Sequence, residues 1–264
     1  MKATINAVEI AYDDHGIGLP VIFLHAFPLN RSMWMDLTAA LLKEQRYRLV
    51  ALDWRGFGES AISNSISTME LFADDVADLM DILGMRQAIL CGLSMGGYAA
   101  LAFLRKYPQR LSGLILADTR PGADSEEAKV NRERIAHLAE TRGNSAIVDL
   151  QMPKLISDYT RRHHPEIEAG IRRMIATATP SGIAAASRGM AQRADLTHLL
   201  PTISCPTLVV VGELDAVTPP DMVREYAAKI PGAQMVVIPY AGHLSNLEQP
   251  EHFKEVVRSF LATF

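Results

Sequence analysis

The segment Gly92-Leu93-Ser94-Met95-Gly96 follows an apolar run over residues 88–93 and precedes a pattern typical of a helix. A serine between two glycines at a strand-to-helix turn is typical of a catalytic nucleophile. The glycines let neighbouring backbone segments approach closely enough to hold the serine in a strained conformation, with its hydroxyl exposed above the sheet. The segment therefore predicts a nucleophile at Ser94 and a sheet flanked by helices.

Apolar runs of strand length alternate with helical patterns along most of the chain. Such alternation is typical of a parallel sheet with helices on both faces. The predicted strands cover residues 4–5, 8–12, 21–25, 48–53, 88–93, 111–117, 207–212 and 234–238. The first two are expected to form an antiparallel opening. The predicted fold class is α/β, with an eight-stranded, mostly parallel sheet.

Three predicted helices have ends marked by particular residues. Ser67 and Glu70 form a capping-box pattern before a helix that Gly84 is expected to end. Thr218 precedes two prolines, which is typical of a helix start. The last helix is predicted over residues 251–261.

Residues 121–200 carry helical patterns and no convincing strand. A stretch of this length is too long for a plain loop, so it is predicted to form a helical cap. The cap is inserted into a core of residues 1–120 and 201–264. Its basic pairs, Arg161-Arg162 and Arg172-Arg173, are interpreted as solvated helix faces.

Two further polar residues follow late predicted strands, Asp215 and His243. The carboxyl ends of parallel strands share one edge, so we expect Ser94, Asp215 and His243 to converge there. His243 would remove the Ser94 proton, and Asp215 would fix the tautomer of the ring and stabilise its charged form. Asp118 also ends a predicted strand and is the rival acid. Asp215 is preferred because its Gly-x-x-Asp setting matches the usual position.

Five motifs occur in a fixed order: Leu24-His25-Ala26-Phe27-Pro28, Asp53-Trp54-Arg55-Gly56-Phe57-Gly58-Glu59-Ser60, the segment around Ser94, Gly212-Glu213-Leu214-Asp215 and Gly242-His243. With this ordered set, nearly the whole chain resembles the α/β-hydrolase superfamily. The resemblance is specifically to the small serine esterases and enol-lactonases that lie near the cofactor-free haloperoxidases.

The resemblance implies an oxyanion hole formed by the backbone N–H groups of Phe27 and Met95. The sequence departs from the commoner His-Gly version of the first motif, because Ala26 follows His25. His25 is expected to form structural hydrogen bonds rather than act as a second base, since His243 already fits that position.

A substrate pocket is expected between the sheet edge and the cap. Besides Phe27 and Met95, five residues are candidates for its lining: His25, Trp34, Arg120, Met174 and Met190. Core packing is an equal alternative for the tryptophan and the two methionines. Arg120, Arg188 and Arg193 are candidate cations for a carboxylate-bearing lactone, with solvent-exposed arginines as the alternative.

The composition of the 264-residue chain restricts its partners. Twenty-six basic residues against 30 acidic ones give a net charge of −4, so no nucleic-acid partner is predicted. The longest uncharged run, residues 87–104, is interrupted by glycines, so no membrane span is predicted.

Two distant cysteines, Cys91 and Cys205, favour a cytoplasmic location. His163 and His164 lack a second ligand pair, so no metal and no cofactor are predicted.

The sequence thus predicts a serine carboxylesterase that hydrolyses small or medium esters through an acyl-enzyme. A serine at position 94 excludes the dehalogenases and epoxide hydrolases of this fold, which use aspartate there. The alternatives are an enol-lactonase of aromatic catabolism, of the 3-oxoadipate enol-lactone type, and a hydrolase-fold receptor for a small ligand. The expected partner is a small-molecule ester or lactone, and assembly into a homo-oligomer is left open.

Overall fold

The computed structural model describes residues 1–63 and 65–264. Its strands are β1 (Lys2–Ile5), β2 (Val8–Gly16), β3 (Leu19–Leu24), β4 (Tyr47–Leu52), β5 (Ala88–Leu93), β6 (Leu111–Ala117), β7 (Thr207–Gly212) and β8 (Gln234–Ile238). They form one sheet in the order β1-β2-β4-β3-β5-β6-β7-β8. Strand β2 is antiparallel to both neighbours, and all later pairs are parallel. The predicted α/β class and antiparallel opening are confirmed.

The α-helices are α1 (Met35–Leu42), α2 (Met69–Ile82), α3 (Met95–Lys106), α4 (Glu126–Leu155), α5 (Asp158–His163), α6 (Pro165–Thr177), α7 (Pro180–Ala191), α8 (Pro220–Ala227), α9 (Ser245–Glu248) and α10 (Pro250–Leu261). Short 3-10 turns cover Arg31–Trp34, Pro108–Arg110 and Thr197–Thr202. None of the helices in the described part of the chain combines the length and apolar character that a membrane crossing requires.

The start of α2 differs from the predicted capping box. Thr68 is the N-cap, with an extended backbone and an Oγ1 that accepts a hydrogen bond from the Leu71 N–H. The N–H of Ser67 instead donates to the carbonyl of Ala185, at 3.2 Å. A tertiary contact with α7 therefore removes Ser67 from the capping position, and the predicted Ser67–Glu70 box is wrong. Gly84 ends the helix as predicted, with φ of 67°.

Two later helices begin at or close to their predicted starts. Helix α8 begins at Pro220, with proline in its first turn as predicted, and the hydroxyl of Thr218 before it donates to the carboxylate of Asp215. The last helix begins at Pro250, one residue before the predicted start. Proline at the first position of both helices loses no hydrogen bond, because the first N–H groups of a helix have no partner within it.

Helices α4 to α7 follow one another between β6 and β7, and residues 121–200, all of which are described, contain no strand. The chain turns within α4 at Gly143, where φ is 71° and ψ is −170°. Helix α7 lies directly against two loops at the sheet edge. A Cβ on Gly182 would lie 2.5 Å from the Gly56 carbonyl oxygen, and a Cβ on Gly189 would lie 1.8 Å from the Ser67 carbonyl oxygen. These close approaches require glycine on the helix face that meets the loops.

Candidate active site

Ser94 occupies the single residue between β5 and α3. Its backbone has φ of 54° and ψ of −112°, in the region that favours glycine, so the serine is strained. Hydrogen bonds on both sides hold this conformation. The Ser94 N–H donates to the Ala117 carbonyl at 2.9 Å, and the Ser94 carbonyl accepts from the Thr119 hydroxyl at 2.8 Å. The end of strand β6 and the residues just after it thus fix the strained turn.

The glycines on either side of Ser94 are required by close backbone contacts. A Cβ on Gly92 would lie 2.3 Å from the Gly96 carbonyl oxygen, and a Cβ on Gly96 would lie 2.0 Å from the Leu24 carbonyl oxygen. Both distances are far below van der Waals contact, and the opposing atoms are backbone. The G-x-S-x-G spacing therefore lets β3, β5 and α3 meet at one point.

The structure brings Ser94, His243 and Asp215 together in one hydrogen-bonded chain. The Nε2 atom of His243 lies 2.8 Å from Ser94 Oγ, and its Nδ1 atom lies 2.8 Å from Asp215 Oδ2. Ser94 is 8% exposed, while His243 and Asp215 are each 3% exposed. The three side chains come from loops after β5, β8 and β7 at the carboxyl edge of the sheet. This arrangement can transfer the Ser94 proton to a buried imidazole.

Asp215 is held by donors from its own loop. One carboxylate oxygen accepts the N–H groups of Val217 and Thr218, at 2.7 and 3.0 Å, and the other accepts the Thr218 hydroxyl as well as His243. Such contacts stabilise the ionised carboxylate and fix its direction. Thr218 therefore holds the Asp215 carboxylate in place from the loop before α8.

The surroundings raise the pKa of His243 and lower the pKa of Asp215. Burial by itself lowers the pKa of His243, but the charge and hydrogen bond of Asp215 outweigh it, and the pKa is raised overall. Burial favours a higher pKa for Asp215, yet attraction to His243 leaves that pKa below its ordinary value. The pair therefore favours an ionised carboxylate beside a basic imidazole.

Asp118, the rival acid, lies fully buried at the same sheet edge but has other partners. Its Oδ1 accepts the Gly212 N–H at 2.8 Å, and its Oδ2 accepts the hydroxyl and N–H of Ser245. Burial, and repulsion by the charge of Asp215, raise the pKa of Asp118 well above its ordinary value. Asp118 therefore links the loops that carry Asp215 and His243 instead of orienting the imidazole itself.

Phe27 and Met95 lie at the predicted oxyanion-hole positions, one after β3 and the other at the first position of α3. Within the described residues, neither backbone N–H donates a hydrogen bond to another protein group. Both side chains are buried, and the Phe27 ring packs edge-on against Phe57. Two N–H groups without protein partners, one of them on the residue directly after Ser94, are the kind of donors that an oxyanion requires.

Glu248 is a buried carboxylate that the sequence did not single out, and it is 2% exposed. Its Oε1 accepts the N–H groups of Gly242 and Leu244, which flank His243, at 2.9 and 3.2 Å. Its Oε2 accepts the Ser157 N–H at 2.8 Å and the Thr160 hydroxyl at 2.7 Å, both at the start of α5. Glu248 thus joins the histidine loop to the helical segment.

The chain matches a known protein family over most of its length. A family model described as alpha/beta hydrolase fold matches residues 20–250. The chain belongs to the α/β-hydrolase family. The resemblance predicted from the sequence motifs is therefore confirmed.

Relatives of this α/β hydrolase include esterases and enol-lactonases. The structure is similar to a thermophilic esterase from Thermogutta terrifontis, with 48% identity, a TM-score of 0.96 and coverage of 100% of this chain and 98% of that one. It is similar to the enol-lactonase from Burkholderia xenovorans LB400, with 32% identity, a TM-score of 0.91 and coverage of 99% and 100%. A 3-oxoadipate enol-lactonase from Acinetobacter baylyi is 30% identical over 241 residues, 91% of this chain and 88% of the relative.

Three of the predicted pocket residues lie in the core of the hydrolase. His25 has no exposed surface, and both ring nitrogens bond backbone groups, Nδ1 with the Ala26 carbonyl and Nε2 with the Trp54 N–H. Burial lowers the pKa of His25 to about 4, so the ring is neutral at neutral pH. Trp34 is fully buried and Met190 is 1% exposed. Because none of the three has appreciable open surface, their assignment to the pocket is corrected to core packing.

Met174 is half-buried on α6 and lines a groove of about 490 Å³. The groove is also lined by residues of the segment 30–36, which follows Phe27 and Pro28, and by Leu247 beyond His243. Asn30 bridges the groove by donating from Nδ2 to the Thr177 hydroxyl, at 3.0 Å. The lining of this groove includes none of Ser94, His243 and Asp215, so a contact between Met174 and substrate stays a prediction.

The three arginines considered for binding a substrate carboxylate are paired with acidic side chains. Arg120 and Arg193 both contact the same oxygen of Asp124, each at 2.8 Å. Arg188 pairs on the outside of the molecule with Glu133 and Glu140. The assignment of Arg120 to the substrate pocket is corrected, because it lines a separate hollow beside α3.

Proposed function

We propose that this hydrolase is a serine carboxylesterase that cleaves small or medium carboxylic esters through an acyl-enzyme on Ser94. The proposal rests on two hydrogen bonds, which join Ser94 Oγ to His243 Nε2 and His243 Nδ1 to Asp215 Oδ2. It is supported by a structural neighbour named as an esterase, which is 48% identical and covers the full chain.

In the first half of the reaction, Ser94 Oγ attacks the ester carbonyl carbon while His243 Nε2 takes the hydroxyl proton. The negative charge that develops on the carbonyl oxygen is stabilised by the N–H groups of Phe27 and Met95, at the positive end of α3. The C–O bond to the alcohol then breaks, and His243 returns the proton to the leaving oxygen. The alcohol departs, and Ser94 keeps the acyl group.

In the second half, water attacks the acyl carbon and His243 Nε2 takes one of its protons. The bond to Ser94 Oγ breaks, the proton returns to that oxygen, and the carboxylic acid leaves. Asp215 stays ionised throughout and stabilises the imidazolium that forms twice in each cycle. Every proton is accounted for by His243 and water.

An enol-lactonase is the second candidate, because two relatives that cover about nine tenths or more of this chain carry that name. The same steps would open a cyclic ester, with the alcohol left tethered to the acyl group. A dedicated enzyme for a carboxylate-bearing lactone would need a cation in the pocket. The pairing of Arg120, Arg188 and Arg193 with acidic partners favours the ester as substrate.

Hydrolysis of p-nitrophenyl esters from acetate to decanoate tests the proposal, beside an anionic enol-lactone and without added metal. Three proteins are compared: wild type, Ser94→Ala, and Ser181→Ala as a control at an exposed serine on α7. Turnover of short esters by wild type and Ser181→Ala, lost in Ser94→Ala, is the expected result. Fast turnover of the lactone alone would select the second candidate. Folded wild type without either activity would refute both and favour a ligand receptor.

A further inference from the structure

Thr119 is a fully buried threonine that the proposed reaction does not use. It lies two residues after the end of β6, and its hydroxyl donates a hydrogen bond to the Ser94 carbonyl, at 2.8 Å. The same carbonyl accepts the N–H of Tyr98, at 3.1 Å, across the first turn of α3. The Ser94 carbonyl therefore has one donor from its own helix and a second donor from another part of the sheet edge.

The chain around Asp118 holds both polar groups of the Ser94 backbone. The Ala117 carbonyl accepts the Ser94 N–H, at 2.9 Å. Asp118 then adopts a φ of 46°, a value that is uncommon for residues other than glycine. The next residue, Thr119, bonds the Ser94 carbonyl. Residues 117 and 119 thus contact opposite ends of one strained residue, with a left-handed residue between them.

Packing against α3 fixes the side chain of Thr119. A Cβ on Gly97, in the first turn of the helix, would lie 2.5 Å from Thr119 Oγ1 and 2.6 Å from its Cγ2. A glycine is therefore required at position 97 for the threonine to approach the helix this closely. Because Thr119 is also fully buried, its hydroxyl has little freedom to move away from the Ser94 carbonyl.

The Ser94 carbonyl belongs to the same peptide group as the Met95 N–H, one of the two donors proposed for the oxyanion. A peptide group is planar, and in its trans form the C=O and the N–H point in opposite directions. A donor that fixes the carbonyl therefore also fixes the direction of the N–H. The hydrogen bond polarises the peptide group as well, which makes the N–H a stronger donor.

The other proposed oxyanion donor, the Phe27 N–H, is held in the same way. Its peptide group includes the Ala26 carbonyl, which accepts the Leu29 N–H, at 2.9 Å, and lies 2.9 Å from His25 Nδ1. Each of the two N–H groups thus lies opposite a carbonyl that is held by one backbone group and one side chain. This shared feature indicates that both donors are directed from the carbonyl side of their peptide groups.

On the basis of the proposed function, we infer that Thr119 is a positioning residue for the oxyanion hole. Its hydroxyl holds the peptide group between Ser94 and Met95, so that the N–H points at the substrate oxygen on which negative charge develops. Thr119 acts through this peptide group and not on the substrate itself. Removal of the hydroxyl should therefore weaken the transition state more than the binding of the ester.

Thr119→Val tests this role, because valine keeps the shape of threonine and lacks the hydroxyl. Loss of a whole oxyanion donor costs about 10²–10³-fold in kcat, and here the donor remains but is misdirected, so we expect a fall of about tenfold with KM little changed. Affinity for an alkyl trifluoromethyl ketone should fall by the same factor. Ser94 Oγ adds to the carbonyl carbon of this ketone, the hydroxyl proton passes to His243, and an oxyanion forms in the hole.

Thr207→Val is the matched control. Thr207 is a threonine at the start of β7 with 2% exposure, and its hydroxyl bonds the Cys205 carbonyl, at 3.1 Å, at the end of the strand away from Ser94. This variant should keep the kcat and the ketone affinity of wild type. A Thr119→Val enzyme equal to the control would overturn the role of Thr119, as would a rise in KM at unchanged kcat.

A second pair of variants isolates the hydroxyl if Thr119→Val does not fold. Thr119→Ser should keep kcat and ketone affinity close to those of wild type, whereas Thr119→Ala, which differs from it only by the hydroxyl, should lose part of both. Equal values in these two variants would overturn the inference. Wild type that neither hydrolyses esters nor binds the ketone would instead refute the proposed function.

Discussion

Asp215, and not the equally buried Asp118, bonds the imidazole of His243: its Oδ2 lies 2.8 Å from Nδ1, while Asp118 bonds Gly212 and Ser245. Asp215→Asn is therefore expected to lower kcat by about 10⁴-fold, because the amide stabilises the wrong tautomer and no longer offsets the imidazolium charge. Asp118→Asn should cost less than about tenfold in kcat. Steady-state kinetics on a p-nitrophenyl ester compares the two, and the reverse ranking would transfer the acid role to Asp118.

The pH profile should reflect the raised pKa of His243. The imidazole must be neutral to accept the Ser94 proton, so kcat/KM rises as pH increases through the pKa of His243 in the free enzyme. Because Asp215 raises that pKa above the ordinary 6.5, the acid limb should lie above pH 6.5. A limb near pH 5 in wild type would contradict this account.

Glu248→Gln should damage both stability and turnover. All four contacts of the carboxylate come from N–H or O–H donors, so an amide nitrogen in place of either oxygen faces donors it cannot accept. An unsatisfied buried donor costs about 1–3 kcal/mol, so we expect a fall in Tm of about 2–12 °C together with a lower kcat.

Glu251→Gln is the matched control for Glu248→Gln, because Glu251 is 88% exposed and pairs only with Lys254. It should change Tm and kcat little. A normal Tm and kcat in Glu248→Gln would show that the link between α5 and the histidine loop is unimportant.

The glycine at position 96 should tolerate no side chain. Gly96→Ala places a methyl group 2.0 Å from the Leu24 carbonyl oxygen, and a shift of β3 or α3 is needed to relieve the clash. We expect a loss of at least about 3 kcal/mol in the free energy of unfolding, measured in urea. Gly170→Ala, on α6, should be neutral or stabilising, because its Cβ would meet only Arg173 Nη2, at 3.8 Å, which is ordinary van der Waals contact. Equal stabilities of the two variants would refute the close-packing explanation of the motif.

The strands and the positions of Ser94, Asp215 and His243 could be predicted because their signals are local. Each strand is a short apolar run, and each of the three residues follows such a run directly. Parallel pairing then brings strand ends to one edge, so convergence needs no further information. The bounds agree to within a few residues, apart from the longer second strand, which extends to Gly16.

The remaining features depend on contacts between distant parts of the chain. Glu248 meets Ser157 and Thr160 across about 90 residues, and nothing in its own sequence neighbourhood indicates burial. The helix start at Thr68 instead of Ser67 was decided by a contact with α7. For Trp34 the sequence leaves both pocket lining and core packing open, because residue type alone does not distinguish a buried aromatic from one that lines a cleft.

The central claim is that Ser94 is the nucleophile of ester hydrolysis, and reaction with a p-nitrophenyl alkylphosphonate tests it most directly. The phosphonate should release one equivalent of p-nitrophenol per chain and abolish esterase activity in parallel. Peptide mass spectrometry should then locate the phosphonyl group on Ser94, while Ser94→Ala should release none and remain inactive, at least about 10³-fold below wild type. Full esterase activity after complete modification of Ser94, or in Ser94→Ala, would contradict the account.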